Sequence, residues 1–188
     1  MNHIKSYKLF LEEAEFDVLS SDSADVKVAK EKMQTMQTYI TDYKNKKPII
    51  DKIYTEIKDP KKIEDELKKV LGQTDVMNGK DRNPFLVEYT HVAKLNADVA
   101  QMGKDNLNDK IRLDDFQQEL RYAKEQTVKD VVNKKIADLN KRMLDRTKNI
   151  QTLSNQYRQS LKEHTDKMGK IEKEMSDNIK KISNVNQK

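Results

Sequence analysis

Residues Val132–Tyr157 read VNKKIADLNKRMLDRTKNIQTLSNQY and carry their apolar side chains at alternating steps of four and three. That spacing places these side chains along one narrow stripe of a helix, as in a coiled coil. The stripe continues to Met175. We interpret it as a seam that pairs copies of the chain. The seam consists of Val132, Ile136, Leu139, Met143, Ile150, Leu153, Tyr157, Leu161, Met168, Ile171 and Met175.

Two polar residues, Arg146 and His164, fall on the same stripe. A charged guanidinium is costly in a dry seam, so Arg146 marks either the helix register or a place where the coil opens. His164 fits a partly buried structural histidine. A stripe this narrow needs a partner helix, either from this chain folding back or from another copy, and the upstream helices are too short to cover all of it. The sequence therefore predicts self-association.

The stripe belongs to a long helical segment, because no proline follows Pro84 in the remaining sequence. The weak point is Gly103–Asp109, where glycine, asparagine and aspartate are poor helix formers. Either the helix breaks into about 85–102 and 109–184, or it continues with a kink. We favour the continuing helix, since Leu107 and Ile111 keep apolar positions available.

The N-terminal part reads as shorter helices. Apolar spacing predicts helices over about 24–45 and 48–58, and a third between the cap Asp59-Pro60 and Gly72. The fold class is therefore all-α, with short N-terminal helices before a very long, kinked C-terminal helix with coiled-coil heptads. Its parts are an amphipathic peptide and linker (1–22), a short-helix region (23–72), a loop (73–83) and the long coiled-coil helix (84–185).

The composition favours a structural role over a catalytic one. Charged residues make up 37% of the chain and aromatic residues 6%, with no tryptophan and no cysteine. The three histidines lie far apart, and no glycine-rich phosphate loop or hydrolase motif is present. We predict no catalytic residue, no metal site and no cofactor. No apolar stretch approaches the roughly 18 residues of a membrane span, so no membrane partner is expected.

A predicted first short helix, from about Ile4 to Ala14, carries the motif that points to a biological role. In Ile4–Ala14, the residues Lys5-Ser6-Tyr7 and Phe10-Leu11-Glu12-Glu13-Ala14 resemble the N-terminal capsid-targeting peptide of internal head proteins in large contractile-tailed bacteriophages. The resemblance implies that Ile4, Tyr7, Phe10 and Leu11 form the targeting face. It also implies cleavage by a prohead protease after Glu13, in the motif Leu11-x-Glu13 before the small residue Ala14.

The leading hypothesis is a non-enzymatic phage virion or prohead internal protein, either scaffold or cargo, that self-associates through a coiled coil. Its partners would be further copies of itself and capsid or portal proteins, inside the head within the host cytoplasm. One alternative is a cytoplasmic coiled-coil adaptor or tether. Another is a helical protein that contacts DNA of any sequence, which the net charge of +5 permits.

Overall fold

The chain is all-α in the computed structural model, which describes residues 17–19, 21–72 and 83–185. Within these ranges there is no strand, so the predicted fold class is confirmed, including the long C-terminal helix. The helices are α1 (Ala24–Glu56), α2 (Pro60–Leu71), α3 (Pro84–Tyr122) and α4 (Gln126–Val185).

A single helix, α1, covers the region where the sequence predicted two. Pro48 lies inside this helix, although an interior proline removes a backbone hydrogen bond and costs about 3 kcal/mol. Ile50 and Ile53, which follow the proline, are both buried. Burying two such side chains contributes roughly 3–6 kcal/mol, enough to offset the proline. The short-helix region is therefore a 33-residue helix followed by a 12-residue one.

The second helix begins and ends where the sequence placed its boundaries. The Asp59 side chain accepts a hydrogen bond from the Lys61 N–H at 2.9 Å, and Pro60 occupies the first turn. Gly72 ends the helix with φ at 88°, a value that glycine adopts without strain. The apolar side chains of α2 then pack on a core cluster centred on Ile50.

The long C-terminal segment reverses direction at residues 123–125 rather than weakening at Gly103–Asp109. The α3 helix runs unbroken through the predicted weak point, since Asn106 and Asp109 form side-chain hydrogen bonds with α4. At the reversal, Ala123 leaves the helix in an extended conformation, and its N–H donates to the Glu119 carbonyl at 3.0 Å. The predicted coiled-coil helix is therefore a hairpin of two helices.

Paired residues give the direction of each helix. Glu88 contacts Lys167, and Asp109 contacts Arg146, so the numbers rise on α3 while they fall on α4 and the two helices are antiparallel. Along α1, Met33 packs on Met175, and Tyr43 contacts His164 further along, so α1 is also antiparallel to α4. Helices α1 and α3 consequently run parallel.

The helix lengths divide the molecule into three parts. In the centre, α1, α2 and α3 pack together around Ile50, Leu86, Tyr89 and Ala93, and His164 of α4 lies against the Tyr89 ring. Since α1 ends at Glu56, α3 and α4 continue alone, and we name this two-helix portion (residues 99–150) the arm. The part of α3 in the arm is about 36 Å long at 1.5 Å per residue. At the other end, α1 before Tyr39 pairs with α4 beyond residue 167.

Candidate functional site

The stripe on α4 lies against α3 and α1 of the same chain. Val132, Leu139 and Met175 are fully buried there. The other predicted seam residues, except Leu161, are partly buried. They are Ile136, Met143, Ile150, Leu153, Tyr157, Met168 and Ile171. In this structure the stripe is an intramolecular contact surface, because the chain folds back and places α3 and α1 against it. Its use between copies stays a prediction.

The structure corrects the stripe at Leu161, which is 37% exposed and lies outside it. After Tyr157 the partly buried position is Ser160, followed by buried His164. The imidazole of His164 lies between rings of Tyr43 and Tyr89, with ring centroids 5.4 and 5.7 Å away. These two ring contacts determine which face of α4 points inward. The stripe therefore steps by three residues from Tyr157 to Ser160 and then by four to His164. The sequence predicted a step of four to Leu161 and then a step of three.

The predicted targeting and processing residues lie outside the described part of the chain, as does the loop except its last residue. They are Ile4, Tyr7, Phe10, Leu11, Glu13 and Ala14. Asn83 ends the loop as the N-cap of α3, where its side chain accepts from the Phe85 N–H at 3.1 Å. The Asn83 amide also donates to the Tyr39 carbonyl at 2.7 Å, so this cap ties α3 to α1.

A polar cluster inside the central bundle surrounds His164. Its Nε2 lies 3.0 Å from the Tyr43 hydroxyl, and its Nδ1 lies 3.8 Å from a Glu88 carboxylate oxygen. Glu88 in turn pairs with Lys167. Burial lowers the pKa of His164, against the opposing effect of Glu88. The neutral imidazole is therefore favoured in the folded protein, where it joins three helices.

Tyr89 links this cluster to a charged pair on α1. Its hydroxyl donates to Asp51, whose other oxygen accepts from Lys47 Nζ at 2.8 Å. Lys47 Nζ also lies 4.6 Å from the centre of the Tyr89 ring. Burial and the Asp51 hydrogen bond raise the pKa of Tyr89 to about 12. The phenol remains protonated near neutral pH, so it can donate its hydrogen bond to Asp51 in the folded protein.

The arm contains a second polar cluster, around Asp109. Arg146, the charge on the stripe, donates to Asp109 Oδ2 at 2.8 Å and to Asn106 at 3.1 Å. Arg112 and Arg142 each lie 3.7 Å from the other Asp109 oxygen. The hydrogen bond from Arg146 lowers the pKa of Asp109. The guanidinium therefore has a partner on the facing helix, which agrees with the register interpretation of Arg146.

An apolar groove lies at the end of the molecule opposite the arm. Its volume is about 500 Å³, and Val28, Met36, Tyr39, Phe85 and Ile171 supply its apolar lining. Tyr39 and Phe85 meet edge to face, with centroids 6.2 Å apart. Glu31, Lys32 and Glu174 line it with charge. Sequence reasoning missed this groove, whose only early signal is Val28, an apolar residue away from the α1 stripe.

Several large apolar side chains of the arm are exposed to solvent instead of packing between α3 and α4. Tyr122, the last residue of α3, is 82% exposed. Val128 and Val131, in the first turns of α4, are exposed beside the same reversal. We name these three residues the arm tip. Leu107, Ile111 and Leu144 are exposed elsewhere on the arm. Contiguous exposed apolar patches mark surfaces for protein association, whereas single exposed apolar side chains are ordinary on a protein surface.

Other kinds of site were sought in the described ranges. No group of three or more histidine or acidic residues there has the arrangement of a metal site. None of the described helices contains an apolar stretch of membrane-spanning length. Comparison of the chain with protein-family models, with curated proteins and with solved structures gives no match.

Proposed function

We propose that this protein is a non-enzymatic structural component of an assembly. The observation that supports this most is the elongated architecture, in which a two-helix arm extends from a bundle and ends in exposed Tyr122. The buried ionisable groups are used to join helices, as Asp109 joins α3 to α4 and His164 joins α1, α3 and α4. These groups stabilise the packing of the helices against one another, and this packing gives the molecule its shape.

The assembly that we propose is the head of a tailed bacteriophage. This step rests on the resemblance of Ile4–Ala14 to capsid-targeting peptides and on the Leu11-x-Glu13 motif before Ala14. The protein would be an internal virion or prohead component, as scaffold or cargo, in contact with capsid or portal proteins. Nearby packaged DNA would meet a mildly basic surface, since the net charge of the chain is +5.

Self-association is part of this proposal. The stripe of α4 is covered by α3 and α1, so copies could pair through it only after the hairpin opens. Surfaces that are exposed in the closed hairpin are the more economical interface. Pairing through them would bury apolar side chains without first breaking the contacts of Leu139 and Met175.

The test is the intact mass and N-terminal residue of the protein isolated from its native source. A chain that begins at Ala14 in purified particles is the expected result. A chain that begins at Met1 or Asn2 in particles would overturn the processing step. Recovery of the intact chain outside particles, with one discrete protein partner, would instead identify a cellular adaptor or tether.

A targeting variant provides a second readout. Leu11→Asp places a charge on the apolar face of the peptide and should abolish incorporation into heads. Lys8→Gln changes the polar face of the same peptide and serves as the matched control. Both variants are produced during infection, and their amounts in purified heads are compared with wild type. Equal incorporation of Leu11→Asp and wild type contradicts the targeting proposal.

A further inference from the structure

Among the residues that the structure describes, the two main apolar features without a neighbour lie at opposite ends of the elongated molecule. The groove is formed where α1 and α4 pair beside the start of α3. The arm tip lies at the reversal between α3 and α4. Val128 of the tip and Ile171 of the groove both lie on α4, roughly 65 Å apart along the helix at 1.5 Å per residue. These surfaces cannot meet within one chain.

The shapes of the two surfaces are complementary. The groove volume of about 500 Å³ exceeds what a tyrosine ring and one or two valine side chains require. In the Tyr39–Phe85 pair that lines it, Phe85 is buried and Tyr39 is partly exposed, so a third aromatic ring can make edge-to-face contact with Tyr39. Tyr122 is the exposed aromatic side chain at the tip. A tyrosine can enter such a groove while its hydroxyl remains at the rim.

The charges are complementary as well. The groove carries Glu31 and Glu174 with a single lysine, Lys32, which lies 3.6 Å from Glu174. Between residues 121 and 131, the tip carries three basic residues and two acidic residues and so has a net charge of +1; they are Arg121, Lys124, Lys129, Glu125 and Asp130. A basic tip is attracted to the acidic groove and repelled by the tip of another copy, which favours unlike pairing over like pairing.

We propose that the arm tip of one copy binds in the groove of a second copy, with Tyr122 inserted beside Tyr39 and Phe85. This contact is head-to-tail, because it joins two different surfaces. It leaves the groove of the first copy and the arm tip of the second copy unoccupied. Such contacts form rings when the rotation closes and filaments when it does not. The proposal goes beyond the function above and does not depend on residues 1–16.

The test uses full-length variants at exposed positions, so that the fold is retained. Tyr122→Ala removes the tip ring, and the double variant Val28→Lys, Thr35→Lys adds positive charge to the groove. In sedimentation velocity over a concentration series, wild type should form multimers and each variant should remain monomeric. An equimolar mixture of the two variants should give dimers and nothing larger, because one intact tip and one intact groove remain.

Several outcomes overturn the proposal. They are a monomeric wild type at every concentration, variants that multimerise as wild type does, or a mixture that stays monomeric. Leu144→Ala is the matched control, since it removes another exposed apolar side chain from the arm. It should leave the wild-type distribution unchanged. A loss of multimers in this control equal to that of Tyr122→Ala would also contradict the proposal.

Cysteine cross-linking gives an independent readout, because the chain contains no cysteine. Thr35→Cys combined with Glu125→Cys, which keeps the Tyr122 ring, should yield a ladder of disulfide-linked multimers under mild oxidation. The two positions are too far apart to join within one chain. Thr35→Cys combined with Leu144→Cys is the control and should give no ladder. Equal ladders from both pairs, or none from the first, refute tip-in-groove contact.

Discussion

At the scale of single residues, Asp109 and His164 each make polar contacts with more than one group on other helices or along their own. Both side chains are buried, and each faces a group on another helix. A buried charge that loses its partner costs more than the pair contributes, because the remaining group stays out of water. These residues should therefore respond differently from exposed residues of the same type.

Removal of Asp109 should destabilise the arm. Asp109→Ala leaves Arg146 on the stripe without its acidic partner, and we expect a loss of about 2 kcal/mol in the free energy of unfolding, since Arg146 is partly exposed. Urea unfolding followed by circular dichroism measures this loss. Asp114→Ala, at an exposed position of the same helix, should be nearly neutral. Equal stability of the two variants would show that the buried pair contributes nothing specific.

His164 should make the stability of the protein depend on pH. Its pKa in the folded protein lies below the unfolded value of 6.5, because burial disfavours the charged form. Stability is therefore fully present above pH 6.5 and declines as the pH falls below that value, where the unfolded chain binds the proton first. Thermal unfolding of His164→Gln between about pH 7.5 and pH 5.5 should show a smaller decline than wild type.

The control for this prediction is His91→Gln, because His91 is exposed on α3. It should keep the wild-type pH dependence over the same range. A decline that is as steep in His164→Gln as in wild type would assign the effect to other groups. The charged and titratable groups that face the His164 imidazole are Glu88, Lys167, Lys47, Tyr43 and Tyr89.

At the scale of helices, the faces that α4 presents to α3 and to solvent differ sharply. Leu139 is 1% exposed, whereas Leu144, more than a turn away, is 57% exposed. The caps differ in the same way. Asn83 ties α3 to α1, while Asp59 bonds only within its own first turn. In each comparison, a substitution of the residue that contacts another helix is the variant, and a substitution of the other residue is its control.

A charge on the buried face of α4 should open the hairpin. Leu139→Asp buries an unpaired carboxylate between α3 and α4, and we expect a loss of about 3 kcal/mol or more in the free energy of unfolding. Leu144→Asp places the same charge in solvent and should cost less than about 0.5 kcal/mol. Chemical unfolding of both variants checks the difference. Similar losses would mean that α4 does not present the Leu139 face to α3.

Asn83→Ala should cost more than an ordinary helix cap. The substitution removes the bond to the Phe85 N–H and the bond to the Tyr39 carbonyl, and we expect a loss of about 2 kcal/mol. Asp59→Ala removes one exposed cap bond and should cost about 0.5–1 kcal/mol. Thermal unfolding of the two variants tests the order. Equal losses would contradict a structural tie between α3 and α1.

At the scale of the whole molecule, the bundle and the arm depend on different contacts. The core around Ile50 and Leu86 joins α1, α2 and α3, and His164 attaches α4 to it. The arm contains only α3 and α4, held by Val132, Leu139 and the Asp109 cluster. No residue of the Ile50 core lies in the arm, so the bundle should not require it.

A chain without its arm should still fold. Residues 103–150 are replaced by the connector sequence Ala-Lys-Glu of residues 123–125, which joins the shortened α3 to α4 near where they face each other. We expect cooperative unfolding and helical circular dichroism in proportion to the shorter length, together with loss of multimers. A non-cooperative, largely unfolded product would show that the bundle needs the arm.

The sequence by itself determined the local features of this protein. The apolar spacing specified helices, and Asp59 and Gly72 specified where α2 begins and ends, because these signals act within a few residues. The stripe on α4 was also readable, from Val132 to Tyr157. What faced that stripe was not, since a heptad pattern reports a buried face and not the identity of its neighbour.

Only the tertiary structure decided the pairing and everything that depends on it. The reversal at residues 123–125 contains no glycine or proline, so no local signal marked it, whereas Gly103–Asp109 stayed helical through bonds to α4. The partner of Arg146, the displacement of Leu161 and the groove beside Phe85 all join residues distant in sequence. Such contacts follow from which helices meet, and burial of side chains across the whole chain selects that arrangement over local propensity.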